Sequence, residues 1–103
     1  MLNYIKFKNL NSNHKKNNYF VTIGDNTYLF KVEWSDYCDC AFLSIYDYDN
    51  NAIVTGRALT NYMRIRNYYF PYNLFFFNEN GETYEPTIDN IEKEFILVYE
   101  DGE

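Results

Sequence analysis

The chain has 103 residues, of which 47% are hydrophobic and 21% aromatic, and its formal net charge is −6. This length predicts one domain over residues 1–103, and the apolar fraction excludes an intrinsically disordered tail. The negative charge disfavours nucleic acid as a partner, because basic protein surfaces are what release the counterions of a polyanion.

The first predicted element is an edge strand at residues 4–8, where apolar side chains alternate with lysines that guard against unwanted pairing. Residues 9–18 are rich in Asn and Lys and predict a polar linker. The linker contains His14, which has no cysteine or carboxylate cluster beside it. We therefore expect His14 to be an exposed loop residue and not a metal ligand or general base.

The strongest periodic signal is at residues 27–34, where large apolar side chains occupy every second position. The apolar face of this predicted strand consists of Tyr28, Phe30, Val32 and Trp34. Residues 19–23 form a second β-rich run, and residues 24–26 between the two runs are Gly-Asp-Asn, which is typical of a tight turn. A hairpin is therefore predicted here.

A second hairpin is predicted from residues 40–47 and 52–59, which are separated by the turn residues Asp49, Asn50 and Asn51. The core-facing side chains of its first strand are predicted to be Ala41, Leu43 and Ile45. Gly56 in the returning strand indicates either a bulge or a close backbone contact.

The last third of the chain carries weaker signals. Residues 60–67 are mixed and basic, and they predict a loop or one short helical turn. Pro71 excludes central-strand pairing at its own position, whereas residues 74–78 predict a strand. Residues 86–92 predict a turn or short helix, and residues 95–99 a final strand that is apolar on both faces. Together these elements predict an all-β fold, a compact antiparallel β-sandwich or small barrel of about six to seven short strands.

Candidate metal ligands are sparse. Cys38 and Cys40 form one Cys-x-Cys pair, which is a weak zinc signature, and we expect both to be free thiols. Residues 47–51 read Asp-Tyr-Asp-Asn-Asn and match the start of a calcium loop, but Ala52 and Ala58 stand where that loop needs Gly and Glu. We therefore predict a hairpin turn, no metal, no cofactor, no catalytic residue and no enzymatic activity.

The run at residues 68–77 is the densest aromatic segment of the chain. Aromatic residues are enriched at the energetic centres of protein interfaces. A protein interface is predicted at Tyr68, Tyr69, Phe70, Tyr72, Phe75 and Phe77. A fully internal strand is the alternative for this run. Exposed rings also stack on sugars, so the alternative function is a small carbohydrate-binding module involved in host attachment.

Several segments in this order resemble the phage baseplate plug family, whose members are small tail proteins of about this length. The resemblance spans residues 19–101 and rests on residues 28–34, 42–47, 53–56 with Leu59, 74–76, 85–86 and 95–100. Phe42 stands where family members often carry Trp, and the segment before Tyr19 has no clear counterpart.

The resemblance implies a structural protein of the virion, built into the tail baseplate near the junction of tail tube and hub. Its partners are then other phage tail or baseplate proteins, in an assembly with multiple copies, and it implies no reaction. Residues 1–8 lack the long apolar core typical of a signal peptide, and no run of the sequence approaches the roughly 20 apolar residues of a membrane span. We therefore expect synthesis in the host cytoplasm and no membrane partner.

Overall fold

The protein, described here from a computed structural model, consists of two four-stranded antiparallel sheets that are not closed into a barrel. The structure describes residues 2–67 and 70–100. The all-β prediction is confirmed, the barrel alternative is wrong, and the arrangement is compatible with a β-sandwich. Across the described ranges, no helix is long and apolar enough to cross a membrane.

The described residues form eight strands, more than the six to seven predicted, and one helical turn. In chain order they are β1 (Leu2–Ile5), β2 (Lys16–Ile23), β3 (Asn26–Ser35), β4 (Cys40–Tyr46), β5 (Ala52–Ala58), β6 (Met63–Asn67), β7 (Phe70–Asn78), α1 (Ile91–Glu94) and β8 (Phe95–Glu100). Sheet A has the strand order β1-β8-β7-β6, and sheet B has the order β2-β3-β4-β5.

Sheet B contains both predicted hairpins. Its strand β2 is longer than predicted, because Lys16, Asn17 and Asn18 pair with β3 instead of belonging to a polar linker. The polar side chains of these three residues show no apolar alternation from which a strand could be predicted. The strand forms because the backbone of β3 supplies its hydrogen-bonding partner. The rest of the predicted linker is not entirely polar either, because Leu10 is buried in the core.

Gly56 lies at a bulge between β4 and β5. The register of the two strands shifts opposite Ser44, whose Oγ accepts a hydrogen bond of 3.0 Å from the Gly56 N–H. Gly56 has a φ of +59°, which side-chain-bearing residues adopt only with strain. No atom lies within 4 Å of where its Cβ would stand, so the bulge is confirmed and the close backbone contact is wrong.

Sheet A contains a strand, β6, that was not predicted from the sequence. Residues 60–67 were predicted as a loop or helical turn, but β6 pairs with β7 from Met63 onward. Ile65 reaches the core while its neighbours Arg64 and Arg66 are exposed, and the ladder to β7, the next strand along the chain, satisfies the backbone. Strand β7 is central, and its pairing with β8 begins at Asn73, beyond Pro71.

The two sheets share one hydrophobic core. All four residues of the predicted apolar face of β3 are buried in it. Phe70 of sheet A lies 5.1 Å from Tyr28 of sheet B, measured between ring centroids. Phe7, in the connection after β1, contacts Tyr19 of sheet B at 5.4 Å and Phe76 of sheet A at 6.1 Å. Aromatic side chains therefore join the sheets at two separate places.

Candidate protein-interaction surface

Strand β7 has two apolar faces, and only one of them enters the core. Leu74 and Phe76 are buried, whereas Phe75 and Phe77 alternate with them and are half-buried. Alternate side chains of a strand point to opposite sides of a sheet. Phe75 and Phe77 therefore lie on the outer side of sheet A.

The strand register extends this surface across the sheet. Phe75 pairs with Val98 of β8, and Val98 pairs in turn with Tyr4 of β1. Phe77 pairs with Ile96, and directly paired residues lie on the same face of a sheet. An open, shallow groove beside these rings is lined by Tyr62 as well. We call this surface the outer face of sheet A; it consists of Tyr4, Tyr62, Phe75, Phe77, Ile96 and Val98.

Two aromatic side chains of the outer face of sheet A are strongly exposed. Tyr4 is 67% exposed and Tyr62 is 59% exposed, at opposite edges of the surface. A positive charge lies at the edge of this surface, where the guanidinium of Arg64 is 5.5 Å from the centroid of the Phe75 ring. This distance is typical of a cation–π contact. The centre of the surface is thus apolar and one edge is basic.

The outer face of sheet B differs in composition. One cross-strand row is apolar, because Phe20 pairs with Leu29 and Leu29 with Tyr46. The next row is polar, with Lys31 paired to Asn18 and to Ser44. Polar residues thus flank the apolar row on sheet B, and the outer face of sheet A is the more continuous apolar surface of the two.

The six residues predicted for an interface do not form one surface. Tyr68 and Tyr69 lie outside the described residues. Phe70 is buried, and its ring lies 5.4 Å from that of Tyr72, which packs against the core. Phe75 and Phe77 lie on the outer face of sheet A. The division follows from strand alternation, which separates even-numbered from odd-numbered residues along β7.

Four residues of this surface were missed in the sequence, namely Tyr4, Tyr62, Ile96 and Val98. For Ile96 and Val98 a signal was present, because the sequence predicted β8 as a strand that is apolar on both faces. What the sequence lacked was the strand order, which places β8 between β1 and β7. Only that order joins the four side chains to Phe75 and Phe77.

Groups suited to catalysis or metal binding are dispersed in the described residues. No cluster of three or more His, Cys, Asp or Glu side chains that could hold a metal occurs between residues 2 and 67 or 70 and 100. Cys38 and Cys40 are free, as predicted, and burial raises the pKa of the Cys40 thiol, which opposes formation of the nucleophilic thiolate.

The calcium-like segment forms a hairpin turn. The backbone N–H of Asn51 donates a hydrogen bond of 2.8 Å to Oδ1 of Asp47, and that of Asn50 donates one of 3.0 Å to the Asp47 carbonyl. The hydrogen bond from Asn51 lowers the pKa of Asp47 and keeps it ionised. Asp47 is thus engaged by its own turn, as the hairpin interpretation predicted.

Comparison with known proteins gives one family. A family model described as cyanophage baseplate Pam3 plug gp18 matches residues 3–102. No curated protein matches the chain. The matched range also includes the Asn- and Lys-rich segment before Tyr19, which the sequence resemblance had left without a counterpart.

Proposed function

Because the chain belongs to the phage baseplate plug family, we propose that it is a structural subunit of a phage tail baseplate. In this role it binds neighbouring tail tube or hub proteins, is present in multiple copies and catalyses no reaction. It is made in the host cytoplasm and functions in the virion. The interpretation as one domain over residues 1–103 belongs to the same proposal.

The observation that carries this proposal, beside the family, is the outer face of sheet A. It presents apolar side chains of β1, β7 and β8 away from the core, with Phe75 and Phe77 half-buried at its centre. Contiguous apolar surface of this kind marks protein contacts in soluble proteins. Aromatic rings are also the side chains that contribute most to binding energy at interfaces.

The shape of the surface favours a polypeptide over a small molecule. Ligand pockets are concave and place a few polar groups at their centre to orient the ligand. Here Phe75 pairs with Val98 and Phe77 pairs with Ile96, so the centre is a sheet surface of hydrocarbon. Arg64 lies at its edge, where an interface has its polar rim.

The test measures binding of the purified full chain to the tube and hub proteins of the same phage. We expect Phe75→Ala and Phe77→Ala each to weaken binding by at least about tenfold, because each removes a ring from the centre of the contact. Tyr37→Ala is the matched control, since Tyr37 is 99% exposed in the turn between β3 and β4 of the other sheet.

Circular dichroism of each variant establishes that the fold is kept. The proposal is wrong if the unmodified chain binds none of the tail proteins encoded beside it. It is equally wrong if both phenylalanine variants bind as tightly as the unmodified chain, because the outer face of sheet A would then make no contact.

A further inference from the structure

A second exposed aromatic surface lies on sheet B, and we infer that it docks a second polypeptide, one with basic residues around an apolar centre. The inference rests on the proposed baseplate function and makes the chain a bridge between two neighbours. We call the surface the Phe20–Tyr48 surface; it consists of Phe20, Leu29, Tyr46 and Tyr48.

The register of sheet B assembles this surface. Phe20 pairs with Leu29, which pairs with Tyr46, so the three side chains form one row on the outer side. Tyr48 follows β4 and lines a cavity of about 200 Å³ together with Phe20 and Leu29. Phe20 is 77% exposed and Tyr48 is 86% exposed, so most of each side chain lies outside the core.

The Phe20–Tyr48 surface and the outer face of sheet A cannot both contact the same patch of one partner. The first belongs to sheet B and the second to sheet A, and the shared core lies between the sheets. Alternation in each strand sends the core residues inward and these rings outward; Phe30 and Phe76, for example, are buried. Two surfaces that point away from a common core contact different polypeptides or different copies of one.

Charge indicates the chemistry of the second partner. The turns that follow β2 and β4 carry Asp25, Asp47 and Asp49, which line surface depressions together with Tyr48. Asp25 and Asp49 line, with Tyr48, a cavity of about 420 Å³. Lysine or arginine side chains of a partner complement such a rim, and they also bind favourably over an aromatic face.

The positive charge on this sheet lies on the other side of the rings. Lys31 has its Nζ 4.7 Å from the centroid of Tyr46, in the row beyond the one formed by Phe20 and Leu29. The partner is therefore expected to place an apolar side chain on Leu29 and basic residues towards the aspartates. Polyanions, including nucleic acid and anionic glycans, are disfavoured by the same carboxylates.

Photo-crosslinking in assembled tail baseplates tests the inference. One full-length variant carries Tyr48→p-benzoylphenylalanine and a second carries Phe75→p-benzoylphenylalanine. We expect both to form adducts with polypeptides, on different chains or on different copies of one chain. The peptides captured at position 48 should contain lysine or arginine next to apolar residues.

The two positions separate the possible failures. An adduct at position 75 with none at position 48 overturns the second surface and leaves the baseplate function standing. Absence of polypeptide adducts at both positions contradicts both proposals. Capture of a polysaccharide at position 48 identifies a glycan site and also overturns the inference, since neutral sugars stack on exposed rings without requiring a basic partner.

Affinity for the polypeptide captured at position 48 tests the charge argument. We expect a variant carrying both Asp25→Asn and Asp49→Asn to bind it about three- to tenfold more weakly at low salt. The difference should shrink near 1 M salt, where the Debye length is about 3 Å. A variant carrying both Asp39→Asn and Asp89→Asn, at exposed residues in the turn before β4 and the loop before α1, is the charge-matched control. Equal weakening by both variants, or none at low salt, contradicts the inference.

Discussion

Asn61 connects three segments that are distant in sequence. Its side-chain amide donates hydrogen bonds of 2.8 and 2.9 Å to the carbonyls of Glu82 and Tyr84. Its side-chain oxygen accepts one of 3.0 Å from the backbone N–H of Asn78. The residue therefore holds the end of β7 and the loop before α1 against the start of β6.

Replacing Asn61 tests this role. We expect Asn61→Ala to lower the free energy of unfolding by about 2–4 kcal/mol, because three hydrogen bonds are lost and their backbone partners are left unsatisfied. Urea denaturation measures the change. Asn13→Ala, at an exposed residue, is the control and should change stability by less than about 0.5 kcal/mol. Equal effects of the two substitutions would show that Asn61 has no special role.

Tyr19 predicts a pH dependence of stability. Its hydroxyl donates a hydrogen bond of 2.7 Å to the carbonyl of Lys8, and burial raises its pKa from 10.0 to about 12. The folded state thus favours the neutral phenol. The stability that this preference contributes is present below pH 10 and is lost as pH rises towards 12.

Denaturation at a series of alkaline pH values measures this dependence. The free energy of unfolding should fall more steeply between pH 10 and 12 in the unmodified chain than in Tyr19→Phe, which cannot ionise. Tyr37→Phe changes a tyrosine that is exposed and serves as the control. Parallel curves for the unmodified chain and Tyr19→Phe would show that Tyr19 does not cause the alkaline loss.

At the scale of the element, β7 separates stability from binding. Phe76 stacks between Phe7 and Phe95, with centroid distances of 6.1 and 5.3 Å, while Phe75 lies on the outer side of the same strand. We expect Phe76→Ala to cost about 3–5 kcal/mol in the free energy of unfolding. Phe75→Ala should cost less than about 2 kcal/mol, because its ring is partly exposed already.

Thermal or urea unfolding of the two variants makes the comparison, and their shared strand and residue type make each the control of the other. Similar losses of stability in both variants would contradict the assignment of the two faces. In that case Phe75 would be a core residue, and its effect on partner binding could no longer be separated from folding.

The elements that the sequence predicted are those with a strong local pattern. Strands β3 and β4 show period-2 alternation over their whole length, and their turns contain Gly, Asp and Asn, so both hairpins were predicted correctly. Strand β6 and the first part of β2 carry Arg, Lys and Asn at their exposed positions. Their hydrogen-bonding partners decide their conformation, and local propensity does not report those partners.

At the scale of the whole molecule, the two sheets depend on each other. Phe70 extends from sheet A to within 6.2 Å of the Phe30 ring of sheet B, and the buried residues of both sheets form one cluster. If either sheet unfolded, the apolar face of the other sheet would be exposed to water. We therefore expect both sheets to unfold in one cooperative transition.

The Phe70→Ala variant tests this coupling. It should lower the free energy of unfolding by about 3–5 kcal/mol, while far-ultraviolet and near-ultraviolet circular dichroism still report a single midpoint. Tyr37→Ala, which removes an exposed ring, should leave the midpoint nearly unchanged. Two separate transitions in the Phe70 variant would show that the sheets are independently stable.

The sequence by itself determined the β class, both hairpins of sheet B and the abundance of rings, because alternation and turn chemistry are local. It also carried the family resemblance that the family match confirmed. The tertiary structure decided which rings are left outside. Strand order places β8 between β1 and β7, and side-chain alternation then places Phe70 in the core and Phe75 outside. Such pairing joins residues far apart along the chain, so no local pattern can report it.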